Sequence, residues 1–326
     1  MAPDRVFLTG ASGFVGSHVL RELRTAGYRV SALVRDARTA PADCDLVFGD
    51  LRRTGELVNA LSGCRFVVHC AALYSFAPAD RAAIRAVNVL GTAGLLEAAR
   101  VAGVERVVIT SSSAAVGHER NGRPANEGDY PPDDDRSPYH QSKLDAERAA
   151  FSGRVPVVAV LPTAPVGPGD WKPTPTGKMV LDFARGKMFA KPPGRGGMNL
   201  VAVEDVARAH VAALERGRPG ERYIIGGENL TMDAIWDALS AVTGVRPPQW
   251  RAPYALAACI GWADEWRCRL DARARPLVPR EGVRMSRERM YVDDAKSRSE
   301  LGLRAAPVAG ALQRAVAWYR SNGYLG

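Results

Sequence analysis

Apolar runs of strand length alternate with helical patterns through the first half of the chain. The candidate strands are apolar on both faces and lie at Val6–Leu8, Arg29–Val34, Leu46–Phe48, Phe66–Cys70 and Arg106–Thr110. Amphipathic helical patterns separate them at Phe14–Ala26, at Thr54–Leu61 and over about residues 80–102. Neighbouring parallel strands must be joined by long crossover connections. Strands that are covered on both faces do not alternate apolar and polar residues. The pattern therefore predicts an α/β fold, a Rossmann-type doubly wound parallel sheet.

The second half of the chain is more broken, because six prolines fall between residues 165 and 193. Helical patterns return at Val203–Leu214, Thr231–Thr243, Pro253–Leu270 and Pro307–Asn322. Two further apolar runs, at 157–161 and 222–225, predict strands that return to the sheet. We expect a first domain over 1–165 that includes these returning strands, and a smaller lobe formed mainly by 166–326. A substrate cleft is expected between them.

Composition narrows the class of protein. The chain has 46% apolar and 24% charged residues, and its 44 basic against 35 acidic side chains give a net charge of +9 without a basic tract. No nucleic-acid motif accompanies that charge. The five cysteines are odd in number and contain no Cys-x-x-Cys pair, and the five histidines are dispersed. A cytoplasmic protein with neither a signal peptide, a metal site nor an integral membrane segment is predicted.

Glycines mark the turn after the first strand. Gly10, Gly13 and Gly16 form Gly-x-x-Gly-x-x-Gly between an apolar run and an amphipathic helix. Glycine permits a tight turn and close approach of backbone N–H groups, and a helix N-terminus favours negative charge. This context predicts a pyrophosphate-binding loop for a dinucleotide, with cofactor contacts from Gly10, Ser12, Gly13, Phe14, Val15 and Gly16.

The end of the second strand carries Arg35 and Asp36. In such folds an acidic residue here selects a free ribose 2′-hydroxyl, whereas an arginine accommodates a 2′-phosphate. Arg35 comes first after the apolar run, so NADP is the expected cofactor and NAD the alternative. A surface ion pair between Arg35 and Asp36 is the plain structural reading.

Tyr139 and Lys143 stand four residues apart and share one face of a predicted helix. A nearby ammonium favours the phenolate form, so Lys143 is expected to lower the pKa of Tyr139, a candidate general acid or base. Thr110 and the next three serines follow the fifth strand, where ligands of parallel sheets bind. One of these hydroxyls should face the site.

These motifs together resemble the extended short-chain dehydrogenase/reductases, the NAD-dependent epimerase/dehydratase family, over nearly the whole chain. The similarity is greatest to dihydroflavonol-4-reductase-like proteins and to hopanoid-associated sugar epimerases. It is carried by Gly49-Asp50-Leu51, His69-Cys70-Ala71-Ala72, Asn88-Val89-Leu90-Gly91-Thr92, the segment Leu161 to Pro168 and the segment Trp171 to Gly177.

The resemblance implies roles for individual residues. Ser112 would be the catalytic hydroxyl, Tyr139 the acid or base, and Lys143 the group that binds the nicotinamide ribose and tunes the tyrosine. Further cofactor contacts would come from Asp50, Leu51, Ala71, Ala72, Pro162 and Thr163. Tyr74, Ser112 and Trp171 are candidate substrate contacts.

The substrate remains open at this stage. Leu161 to Pro168 lacks the arginine and asparagine that nucleotide-sugar members carry there, and Leu73-Tyr74-Ser75-Phe76 adds aromatic surface. We expect hydride transfer between NADP(H) and a ketone, aldehyde or secondary alcohol. The alternatives are an epimerase or dehydratase of a sugar or sugar-like, hopanoid-linked substrate, and a non-catalytic cofactor-binding regulator. A small-molecule substrate and a homodimer are the expected partners.

One stretch admits two interpretations. Tyr254, Leu256, Ile260 and Trp262 lie among alanines and are followed by several arginines. A buried core helix needs these residues and is the favoured interpretation. The alternative is an apolar surface at a substrate entrance or on a membrane.

Overall fold

The computed structural model describes residues 3–75, 77–119, 121–131, 138–270, 274, 276–278 and 280–325. Eleven strands are described: β1 Arg5–Thr9, β2 Arg29–Val34, β3 Asp45–Phe48, β4 Phe66–His69, β5 Arg106–Thr110, β6 Val157–Pro162, β7 Ala164–Val166, β8 Gly197–Ala202, β9 Arg222–Ile225, β10 Glu228–Thr231 and β11 Arg289–Met290. The helices are α1 Phe14–Thr25, α2 Leu57–Ala60, α3 Arg81–Ile84, α4 Thr92–Val101, α5 Pro138–Ser152, α6 Pro175–Ala184, α7 Val203–Arg216, α8 Met232–Thr243, α9 Tyr254–Leu270, α10 Arg280–Met285, α11 Ala295–Leu301 and α12 Val308–Ser321.

The main sheet has seven parallel strands in the order β3-β2-β1-β4-β5-β6-β9. Strand order reverses between β1 and β4, which opens a crevice at the carboxyl ends of these two strands. The sheet strands are covered on both faces, with α1 and α7 over one core and α4 and α5 over the other. The predicted doubly wound fold and its seven strands are confirmed.

A second, smaller sheet was not predicted. Strand β8 pairs with β7, β10 and β11, and this sheet packs on α6, α8 and α12 around Trp236, Phe183 and Tyr319. Two of its strands are very short: β11 has two residues and β7 has three. Such segments carry too few positions for an apolar pattern to be read from sequence.

Helices α3 and α4 are joined by a π-helical segment, Arg85–Gly91, into one continuous helix, Arg81–Val101. By length and composition alone this helix could cross a membrane, but 44% of its apolar window is buried within the fold. It packs against α5, as a core helix does. The wider π turn carries the buried side chain of Asn88 toward the carboxyl end of β4.

Candidate active site

The glycine loop lies at the crevice between β1 and β4. Gly10 has φ +75°, and a Cβ there would lie 2.7 Å from the Ala71 nitrogen. A Cβ on Gly16 would overlap the Gly10 carbonyl, so both positions require glycine. Gly13 caps α1, and no side chain occupies that helix N-terminus. The residues therefore fit a pyrophosphate, because the N-terminal N–H groups of α1 have no side-chain cap and the three glycines allow a close approach.

The end of β2 carries a set of charges that bears on cofactor choice. Asp36 accepts four hydrogen bonds from Arg38, one from its backbone N–H and three from its guanidinium. The alternative interpretation, a surface ion pair between Arg35 and Asp36, is therefore not the pair formed, and the Arg35 side chain is exposed. Asp50 is bonded to Arg52 at 2.6 Å, and this arginine lowers the pKa of Asp50 to about 2.

Tyr139 and Lys143 both lie on α5, which packs against the turn after β5. Lys143 Nζ donates to the Thr110 carbonyl at 2.7 Å, so the buried ammonium is held at the carboxyl end of β5. Burial lowers the pKa of Lys143 to about 8. The Tyr139 ring lies 4.1 Å from the Tyr74 ring, between centroids.

The expected lowering of the Tyr139 pKa is wrong. Desolvation by the surrounding protein raises the pKa of Tyr139. The charge of Lys143 does not offset this, and its ammonium donates to the Thr110 carbonyl. Tyr139 is therefore a protonated phenol throughout the neutral range.

The serines that follow β5 have different hydrogen-bond partners. Ser111 is buried and donates to the Glu147 carboxylate in a short hydrogen bond. Ser112 is half-buried and caps a short 3₁₀ turn, where its Oγ accepts the Ala114 N–H at 3.2 Å. An accepting hydroxyl keeps its own proton to donate. Of these two serines, Ser112 is the one whose O–H remains available to a carbonyl oxygen.

A hydrogen-bonded chain that the sequence did not reveal runs beneath the crevice. The Ala71 N–H donates to Thr9 Oγ1, which lies 2.6 Å from His69 Nδ1. On its other side, His69 Nε2 lies 2.9 Å from Thr92 Oγ1, and Thr92 donates to the Asn88 carbonyl. Since the Thr92 proton is committed, His69 must donate from Nε2 and accept at Nδ1. Burial lowers the pKa of His69 to about 3, so the ring is neutral.

Asn88 extends this chain to helix α5. Its side-chain amide bonds both the N–H and the carbonyl of Leu73, and donates to Ser142 Oγ at 3.0 Å. Ser142 in turn donates to the Tyr139 carbonyl. The loop after β4 and the first turn of α5 are therefore fixed by one amide. Only the motifs His69-Cys70-Ala71-Ala72 and Asn88 to Thr92 carried any sequence signal for it.

The remaining candidates lie in different surroundings. Ala71 and Ala72 follow β4 at the crevice, and Pro162 ends β6. The Thr163 hydroxyl donates toward Asn199 Oδ1 at 2.9 Å and the Ile225 carbonyl at 3.2 Å, inside the contact between the two sheets. Leu51 is buried in the core, beside Gly91. Trp171 is exposed and stacks edge-on against Trp318 at 4.7 Å, with no described contact to Tyr139. Phe76 lies outside the described residues.

Within the described residues, no group of three or more His, Cys, Asp or Glu side chains is placed to hold a metal ion.

Comparison with known proteins agrees with this arrangement. Residues 6–226 match the model of the NAD dependent epimerase/dehydratase family. A Synechocystis protein named "Putative dihydroflavonol 4-reductase" is 40% identical, with 99% of this chain and 96% of that protein covered. Sterol demethylase protein B of Methylococcus capsulatus is 34% identical, covering 98% and 99%.

Solved structures give the same result. The crystal structure of gox2253 has a TM-score of 0.85 and 38% identity, covering 99% of this chain and all of that one. MoeE5, solved in complex with UDP-glucose and NAD, has a TM-score of 0.76 and 28% identity, covering 98% and 99%. By its sequence match, its fold and its glycine loop, this chain belongs to the NAD-dependent epimerase/dehydratase family.

Proposed function

We propose that this protein is an NADP(H)-preferring oxidoreductase that interconverts a ketone or aldehyde and an alcohol, with Ser112, Tyr139 and Lys143 as its catalytic residues. The observation that carries this is the position of the Lys143 ammonium. It is buried and bonded to Thr110 at the end of β5, four residues from Tyr139 and beside the Ser112 turn.

The residues present fit a nicotinamide dinucleotide. The glycine loop would hold its pyrophosphate, Ala71 and Ala72 would pass beside it, and Lys143 would bind the nicotinamide ribose. The cofactor, when bound, supplies or accepts a hydride. Ser112 would donate to the carbonyl oxygen of the substrate, and Tyr139 would give that oxygen its proton. Because burial raises the pKa of Tyr139, its phenol holds at neutral pH the proton that the reduction needs.

The preference for NADP is supported by the hydrogen bonds of Asp36. A carboxylate that selects NAD must accept from the ribose hydroxyls. Asp36 instead accepts from Arg38, while Arg35 extends into solvent at the same strand end. The guanidinium groups of Arg35 and Arg38 lie at this strand end, and the Asp36 carboxylate is already hydrogen-bonded. This arrangement favours a ligand that carries an additional phosphate.

An apolar substrate is supported by the surroundings of Tyr139. The partner ring of Tyr74 lies over it, and Leu161 to Pro168 has no arginine for a sugar diphosphate. One relative is named for a sterol, which fits a carbonyl on a largely apolar skeleton.

The second candidate is an epimerase or dehydratase of a sugar-like substrate, favoured by the similarity to MoeE5 with bound UDP-glucose. Such an enzyme oxidises and reduces its substrate within one turnover. Copurifying nicotinamide, with turnover that leaves the nicotinamide absorbance unchanged, would favour this candidate over the reductase.

Tyr139→Phe tests the catalytic proposal. It removes the phenolic proton and keeps the ring against Tyr74, so turnover of a carbonyl substrate should fall about a hundredfold or more. The dissociation constant of NADPH should change little, which fluorescence titration would measure. Tyr28→Phe is the matched control, since it removes the same hydroxyl from a tyrosine just before β2, at the amino-terminal edge of the sheet. Turnover of Tyr139→Phe near that of the wild type would refute the assignment.

Arg35→Ala tests the cofactor proposal. Losing a charge-assisted bond to a 2′-phosphate should weaken NADPH binding by about 1.5–3 kcal/mol and leave NADH binding nearly unchanged. Arg100→Ala, an exposed arginine paired with Glu97 at the end of α4, controls for a general loss of positive charge. Tighter binding of NADH than of NADPH by the wild-type protein would overturn the preference.

A further inference from the structure

Helix α9 turns its large apolar side chains outward, whereas a helix of a protein interior turns them inward. The residues that it buries are small or polar: Ala257, Gly261, Asp264 and Cys268. The large apolar side chains lie on the opposite side, where Trp262 is 56%, Trp266 46% and Leu270 82% exposed. These three follow one another at i, i+4 and i+8 and so form one outward stripe. The predicted burial of this helix in the core is wrong.

The reason for this orientation is the short segment that returns along the inner side of α9. Asp264 Oδ2 accepts the backbone N–H groups of Leu277 and Val278 at 2.6 and 2.8 Å. A Cβ on Gly261 would lie 3.2 Å from Arg280 Cγ. Small residues are needed on this side because the returning chain lies so close. The bulky side chains therefore project away from the protein.

Further apolar side chains widen the outward stripe. Leu256 and Ile260 are about half exposed on the same helix, and Leu277 is 75% exposed on the returning segment. Helix α9 packs against α10 and against the turn Pro78–Asp80, which follows the Tyr74 loop. The surface therefore borders the segment that contributes an aromatic ring to the active site.

The sequence of this region is mainly basic. Glu265 is bonded by both Arg269 and Arg280, and each of these arginines is more than half exposed. Between residues 254 and 287 the sequence has seven arginines and four acidic residues, a net charge of +3. Exposed tryptophans with flanking arginines are the composition of a helix that lies in the interface of an anionic membrane.

We propose that the outward face of α9, formed by Trp262, Trp266 and Leu270 with Leu256 and Leu277 beside it, docks on an anionic lipid bilayer. The tryptophans enter the headgroup region and the arginines contact lipid phosphates. The protein then rests on the membrane at the side where the Tyr74 loop lies. This binding requires neither cofactor nor turnover, so its test is independent of the proposed reaction.

Vesicle flotation tests the proposal with the full-length protein. Vesicles of phosphatidylcholine with about a third phosphatidylglycerol should carry the wild-type protein upward, and pure phosphatidylcholine should carry less. Added salt should weaken the binding without abolishing it, since charge attraction is screened within about 10 Å at 0.1 M salt whereas apolar insertion is not. Trp262→Ser with Trp266→Ser should reduce the partition coefficient at least about tenfold.

Trp171→Ser is the matched control, because it removes an equally exposed tryptophan that stacks on Trp318. It should float as the wild type does. Circular dichroism verifies that the double variant is folded, and quenching of wild-type tryptophan fluorescence by brominated lipid provides a second readout. Flotation that is absent, or unchanged in the double variant, would overturn the proposal. So would a dimer in light scattering that the double variant abolishes, because a second copy would then cover this face.

Discussion

The titration of the buried Lys143 should make the proposed activity depend on pH. With a pKa of about 8, its ammonium loses its proton at a pH where an exposed lysine is fully charged. The proposed contact to a ribose, and the proposed stabilisation of the phenolate left when Tyr139 gives up its proton, both require the charged form. We expect kcat/KM for carbonyl reduction to fall as pH rises through about 8, measured at saturating NADPH.

Variants separate this titration from other causes. Lys143→Arg keeps its charge at every pH, so it should lower the rate but remove the inflection near pH 8. Lys143→Met should lower the rate at all pH values. An unchanged inflection in Lys143→Arg would assign it to another group. The same lowered pKa affects stability in the opposite direction, because unfolding takes up a proton between pH 8 and 10.5 and this contribution to stability rises with pH there.

At this scale the sequence predicted residue positions better than residue environments. The spacing of Tyr139 and Lys143 placed both on one helix, and the glycine pattern placed the loop. The sequence could not predict that Asp36 would pair with Arg38 rather than with Arg35, because both pairings are possible in an exposed turn. The sign of the Tyr139 pKa shift depends on desolvation, which is a property of the assembled fold.

Among the elements, β1, β4 and the π-helical segment Arg85–Gly91 are joined through His69. His69→Leu would leave the Thr9 and Thr92 hydroxyls without their ring partner inside the protein. An unsatisfied buried polar group costs about 1–3 kcal/mol, so the free energy of unfolding should fall by about 2 kcal/mol or more. Urea denaturation measures this change.

A functional effect should accompany the loss of stability. Thr9 also accepts the Ala71 N–H beside the proposed pyrophosphate site, so His69→Leu should weaken cofactor binding severalfold. His118→Leu is the control, because His118 is a half-buried histidine paired with Glu288 away from this chain of bonds. Stability and cofactor affinity equal to the wild type would show that the hydrogen bonds of His69 contribute nothing.

Most long elements agree with their sequence patterns because they are long and periodic. Helix α9 lies within one residue of its predicted bounds, but a different side faces inward from the one expected. Its alanines and tryptophans are both apolar, so only the returning chain decides which face is covered. Helix α6 was not predicted, although Thr174 caps it and Pro175 begins it, because it lies among the prolines that suggested a broken chain.

For the whole molecule, alternation of strands and helices was sufficient to predict the parallel sheet, whereas the small sheet around β8 depends on pairings between segments up to about ninety residues apart. No local pattern encodes such pairings. The expected boundary at residue 165 remains a prediction, and so do the site residues, while the family and the fold are confirmed.

The ion pair between Glu147 and Arg222 has a consequence for how this molecule could be divided or recombined. Arg222 Nε lies 2.8 Å from Glu147 Oε1, and its other nitrogens bond the carbonyls of Ala115, Glu127 and Asp129. The loop after Ser112 and helix α5 are therefore held by a residue of β9, the edge strand of the main sheet, more than seventy positions downstream of Glu147. Exchanging the second half of the chain for that of a relative would remove this arginine along with the substrate surface. A chimera cut at residue 165 must carry β9 with the first half, or it inherits a buried carboxylate without its cation.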